Sequence, residues 1–142
     1  AQANNTPSIK ILLMAGSVKN KSQLKEEIRP FILALMGDTS LETLDVSGQG
    51  MGDVGALALS KTLQTDPNLR RVVVDENGTS IVGFKVLVNS LERNFHLSSL
   101  PIPIADIMKI VANNSEKQRD VSQLLEQLEY KLRTNEQRLA EE

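Results

Sequence analysis

Apolar residues recur at the first, fourth and sixth places of three short strings, Leu41-Glu-Thr-Leu44-Asp-Val46, Leu69-Arg-Arg-Val72-Val-Val74 and Leu97-Ser-Ser-Leu100-Pro-Ile102. They begin 28 residues apart, twice. Ile9-Lys-Ile-Leu12-Leu-Met14 repeats the pattern 32 residues before Leu41, as a copy carrying a four-residue insertion. The polar stretches between these strings repeat too. Phe31 and Leu35, Leu59 and Leu63, and Leu87 and Leu91 are each four apart and end six residues before the next string. Spacing of four places two side chains on one helical face. Each unit therefore reads as strand, turn, helix, turn.

A unit this small cannot cover both its strand and its helix, so successive copies must stack and share one interior. The predicted fold class is α/β, a fragment of a leucine-rich repeat solenoid with parallel strands on its concave side, helices on its convex side and capping helices at its C-terminal end. The first, fourth and sixth residues of each string should point inward. Thr43, Asp45, Ser47, Arg71, Val73, Asp75 and Ser99 should face out along the concave side, where such arrays bind proteins. The units divide at about 9–40, 41–68 and 69–96, with a final strand over 97–103. Residues 1–103 form the repeats and 104–142 a helical cap.

An array must close, and Pro101 and Pro103 lack the N–H that a further strand would need. After them, 104–111 reads as a short helix, and Ser115-Glu-Lys-Gln118 fits a capping box opening a second helix from about 116 to near the C-terminus. Along that helix Val121, Leu125, Leu128, Leu132, Asn135 and Leu139 follow the alternating four and three spacing of a coiled-coil seam. The seam can cover the last repeat, with Leu124, or pair with a second chain through Leu125, Leu128, Leu132, Asn135 and Leu139, giving a homodimer. No polar cap precedes Ile9, so the expectation is the C-terminal piece of a longer array that self-associates through its open apolar end or its tail. Pro30 either kinks or starts the first helix.

Composition narrows the chemistry. Hydrophobic residues are 40% of the chain, enough for a core. There is no cysteine, and His96 is the only histidine, which removes thiolate chemistry and any multi-histidine metal site within one chain. Sixteen basic against 18 acidic residues and four aromatics supply neither the field nor the stacking surface that nucleic acid needs. No apolar run approaches the roughly 18 residues of a membrane span, and the N-terminus has no secretory pattern. The expectation is a cytoplasmic protein with no cofactor, no metal and no catalytic residue.

One motif argues otherwise. Gly50-Met-Gly52-Asp-Val-Gly55 matches a dinucleotide-binding fingerprint after a strand and before a helix, with Asp75 twenty residues beyond it. A shift of 28 aligns Gly50 with Gly78 and Gly55 with Gly83, which assigns the glycines to the repeat's own turns and leaves dinucleotide binding at Gly50 to Gly55 as the alternative. The sequons at Asn4, Asn77 and Asn113 read as turn residues, and His96 as a turn histidine. Glu26 with Glu27 and Glu141 with Glu142 read as solvated helix charge.

The stretch from Leu44 to Leu63, then Pro101-Ile-Pro-Ile-Ala-Asp106 and Asn113-Asn-Ser-Glu-Lys117, resembles the end of the leucine-rich repeat region of the CARMIL family, over roughly Leu41 to Gln127. These proteins link actin capping protein, the branched-actin nucleation complex and myosin-I. The resemblance implies a non-enzymatic scaffold with actin-regulatory protein partners, associated with the cytoskeleton at the cell cortex. In that family a lipid-binding module precedes the repeats, and dimerisation helices and a disordered tail with capping-protein and myosin-I motifs follow. Neither tail motif is present here. A repeat fragment of a tropomodulin-like or innate immune system is the competing resemblance.

Overall fold

The computed structural model describes residues 9–17, 19, 21–35 and 40–141. Three short strands, β1 (Ile11–Leu13), β2 (Thr43–Asp45) and β3 (Arg71–Val73), pair in parallel and in chain order. Leu12 stands opposite Leu44, and Leu44 opposite Val72, the register that spacings of 32 and 28 demand. Inward residues Leu41, Leu44, Val46, Leu69, Val72, Val74, Leu97 and Leu100 are all buried in one continuous core. Each such side chain contributes about 1.5–3 kcal/mol relative to exposure.

The helices α1 (Ile28–Ala34), α2 (Gly52–Thr65) and α3 (Ile81–Ser90) form the second layer. Neighbours pack side by side, α1 on α2 and α2 on α3. Leu59, Leu63, Leu87 and Leu91 are buried as their spacing predicts. Phe31 and Leu35 are only partly buried, whereas Ile28 and Ile32 are fully covered. Among the described residues α1 is covered by α2 on one side, and no unit lies on the other. Pro30 is the third residue of α1, inside the first turn, where its missing N–H has no intrahelical partner to lose. It does not start the helix, which begins at Ile28.

Turns repeat as faithfully as the elements. Asp66 and Asn94, 28 apart and both buried, each accept from the backbone N–H two residues on, at 2.9 and 2.8 Å. At the opposite edge the buried amides of Gln49 and Asn77 tie one unit to the next. Gln49 accepts from Leu24 N and donates to Met14 O. Asn77 donates to Val46 O and Val74 O and accepts from Gln49 N and Met51 N. Each thereby satisfies buried backbone groups that the sheet cannot reach.

The fourth strand is shorter than its sequence pattern predicts. It amounts to a bridge between Arg71 and Ser99. Thr43, Arg71 and Ser99 donate in turn to the carbonyls of Lys10, Glu42 and Arg70, so the next donor of the last rung would be residue 101, which is proline. The ladder ends there, and Ile102, expected inside, is 52% exposed. Ile9, at the other end, is also exposed.

Two helices follow, α4 (Ile104–Asn113) and α5 (Gln118–Glu141). Asn114, one residue before the predicted cap, accepts from Glu116 N at 3.0 Å and opens the 3-10 turn Ser115–Lys117 that leads into α5. No described helix is long and apolar enough to cross a membrane.

Candidate protein-interaction surface

The parallel register sorts the outward side chains into rows. Ile11, Thr43, Arg71 and Ser99 form one, and Leu13, Asp45 and Val73 the next. Alternation along each strand sends these side chains to the face opposite the core. The Arg71 guanidinium is exposed and donates to Ser99 Oγ at 2.6 Å. Asp45 Oδ1 accepts from Ser47 N at 2.9 Å and from Ser47 Oγ at 2.7 Å, which fixes its carboxylate toward the upper rim. Val73 and Thr43 are half-buried between their neighbours.

Two residues outside the predicted set dominate the apolar part of this face. Ile11 is 62% and Leu13 69% exposed. The alternation that picked Thr43 and Asp45 picks them as well, since they are the register partners of those residues. Asp75 is the reverse case, a predicted contact already in use. Its carboxylate accepts from Ala105 N and Asp106 N, each at 3.0 Å, and so caps α4.

That capping also takes the acidic residue from the glycine fingerprint. Gly50 and Gly78, its counterpart one unit on, have φ of +66° and +68°, a turn conformation that both units require. A Cβ on Gly55 would meet Met51, and one on Gly83 would meet Asp53 and Thr79, so these glycines serve close packing within the stack. Asp53, in the first turn of α2, accepts from Ser80 N at 2.8 Å and holds negative charge where a pyrophosphate would lie. The sheet runs in order, without the strand reversal at which dinucleotide folds open a crevice.

The seam on α5 lies against its own array. Val121, Leu124, Leu128 and Asn135 are buried, and Leu125, Leu132 and Leu139 are partly so. Asn135 donates through Nδ2 to Leu97 O at 2.8 Å and Asn94 O at 3.2 Å. It therefore fastens the last turn of the array, and in this arrangement Leu128 and Asn135 are not open to a second chain. Lys131 and Arg138 lie 4.7 and 4.6 Å from the centre of the Phe95 ring. Partial desolvation, and then the charge of Arg138, lower the Lys131 pKa from its ordinary value. His96 sits in the same turn, its N–H bonded to Asn94 Oδ1. Among the described residues no three His, Asp or Glu side chains gather to hold a metal. Asn77, in one sequon, is buried at 1% exposure, Asn113 in another is exposed, and the sequon at Asn4 lies outside the described residues.

No family model matches the chain. It is 39% identical over 113 residues to the Rho GTPase-activating protein gacW of Dictyostelium discoideum, covering 79% of this chain and 10% of that protein. It is 41% identical over 90 residues to Protein CARMIL of the same organism, covering 63% and 9%. With the human capping protein, Arp2/3 and myosin-I linker protein 3 it shares 38% identity over 105 residues, 74% of this chain and 8% of that one. The chain thus spans about a tenth of the length of these relatives. Among solved structures, leiomodin-1 actin-binding site 2 superposes with a TM-score of 0.63 over 97% of this chain and 90% of that one, at 19% identity, a likeness of fold. On its residues, its repeat architecture and these alignments, the chain is similar to the CARMIL proteins over a segment that makes up about a tenth of their length.

Proposed function

We propose that this chain is a non-catalytic, protein-binding segment of an actin-regulatory scaffold, and that its concave face makes the contact. The carrying observation is the pairing of CARMIL homology with a rigid outward face on which Ile11 and Leu13 stand exposed beside Thr43, Asp45 and Arg71. Apolar side chains on strands held in a sheet are partly pre-organised, so binding loses less conformational entropy there. A neighbour of the same fold is an actin-binding site of leiomodin-1, and the gacW relative bears the name of a different activity. The actin-binding neighbour supports a module that supplies contacts. Within a longer parent the segment would be the closing part of the repeat array, holding capping-protein and myosin-I motifs at a fixed distance in the cytoplasm near the cortex.

Photo-crosslinking residues at Leu13 or Arg71 on the concave face, and at Val82 on the convex face, test this. The parent protein should trap actin-regulatory proteins from cell extract through positions 13 and 71 only. Equal trapping through position 82, or none through 13 and 71, would count against the concave assignment.

A further inference from the structure

We infer that Asn77 is a latent deamidation site, kept unreactive by the carboxylate of Asp106. Asn77-Gly78 is the dipeptide in which cyclisation is least hindered, because glycine puts no side chain in the way of its own nitrogen. In the reaction the Gly78 nitrogen bonds to Asn77 Cγ, and the Cγ–Nδ2 bond breaks. Ammonia leaves with the proton lost from Gly78, and water then opens the succinimide to aspartate or isoaspartate.

The folded turn blocks each component. Asn77 Nδ2 donates to Val46 O at 3.0 Å and Val74 O at 2.8 Å, and Oδ1 accepts from Gln49 N and Met51 N, so the amide cannot rotate toward its neighbour. Gly78 N, the nucleophile, donates to Asp106 Oδ1 at 3.0 Å, while Asn77 N donates to Oδ2 at 3.0 Å. The bond orients the Gly78 N–H away from Cγ. A carboxylate is far too weak a base to take that proton, and its negative charge opposes the amide anion that attacks.

The part of this protection that restrains the Gly78 nitrogen rests on α4. Asp106 is 3% exposed only because Ile107 and Ile110 seat the helix on the last repeat, and Asp75 caps its first turn. When α4 lifts, the Gly78 nitrogen is released. Once formed, the aspartate side chain at 77 has no N–H to offer the carbonyls of Val46 and Val74, so the turn cannot reclose as before. The reaction would make each long opening of the closing helix permanent.

Incubating the whole chain at mildly alkaline pH and mapping peptides by mass spectrometry reads Asn77 directly. The native protein should deamidate there at least about tenfold more slowly than the urea-unfolded chain, as expected for a site reached only by local opening. Asp106→Ala should raise the rate severalfold above that of the native protein, short of the unfolded value because the Asn77 amide keeps its own hydrogen bonds. Should that variant fail to fold, Ile110→Ala, which loosens α4 without touching the polar contacts, is read instead and should also accelerate the reaction. Native deamidation at the unfolded rate, or no acceleration in whichever variant folds, would overturn the inference.

Discussion

Asp75 holds the backbone of Asp106, and Asp106 holds the loop that follows Asp75. Asp75 accepts from Asp106 N at 3.0 Å, and Asp106 accepts from the backbone N–H groups of Asn77 and Gly78, just beyond Asp75, each at 3.0 Å. One carboxylate caps the helix that delivers the other, which in turn closes the loop presenting the first. Removing Asp106 leaves the buried Asn77 N–H unsatisfied and the more exposed Gly78 N–H without its acceptor, and the loss at a buried donor costs about 1–3 kcal/mol. Asp106→Ala should therefore lower unfolding stability by about 2–4 kcal/mol in urea titration. Hydrogen exchange should quicken first in α4. A change below about 0.5 kcal/mol would mean that the pairing is not made in solution.

Val72 is fully buried between Leu44 and the last rung of the array. Val72→Asp places an unpaired carboxylate in the shared interior and should destabilise the chain by several kcal/mol. A variant that melts like its parent would mean that the strand alternation is assigned to the wrong face.

Asn135 joins the long helix to the array through Asn94 O and Leu97 O, at 0% exposure. Asn135→Leu should strip both carbonyls of their donor at a cost of about 1–3 kcal/mol, and Phe95→Ala should add about 0.5–1 kcal/mol by removing the ring beneath Lys131 and Arg138. Calorimetry on the single and double variants checks both values. If Asn135→Leu instead raises the melting temperature and yields a dimer, the seam prefers a second chain to its own repeat.

At the open end, Ile9, Ile11 and Leu13 are exposed and the outer edge of β1 has no described neighbour. Sedimentation velocity should show reversible self-association of the isolated chain as concentration rises, weakened by Leu13→Lys, a charge of the kind that discourages edge pairing. A strict monomer at high concentration would contradict this.

The repeat period made the sheet legible before any coordinates. Residues 28 apart had to be partners, and Thr43 with Arg71 and Leu44 with Val72 are. The same period explained Gly50 and Gly78 as one turn used twice, against a persuasive cofactor motif. Where the period stops, prediction lost its footing. Ile102 turned outward because a proline at 101 cannot continue the ladder, and Phe31 and Leu35 stayed half-covered because, among the described residues, α1 has a neighbour on one side only. Asp75 lay outside the reach of pattern altogether. Its role comes from α4, thirty residues along the chain, and no local spacing announces a carboxylate that caps a distant helix.

Long-range amide contacts measured by nuclear magnetic resonance test the stacked repeat most directly. The fold requires contacts at a constant offset, 28 for Thr43 with Arg71 and Asp45 with Val73, and 32 for Ile11 with Thr43 and Leu13 with Asp45. Pairs whose numbers instead share a constant sum would reveal antiparallel strands, and the layered array with its concave binding face would be refuted.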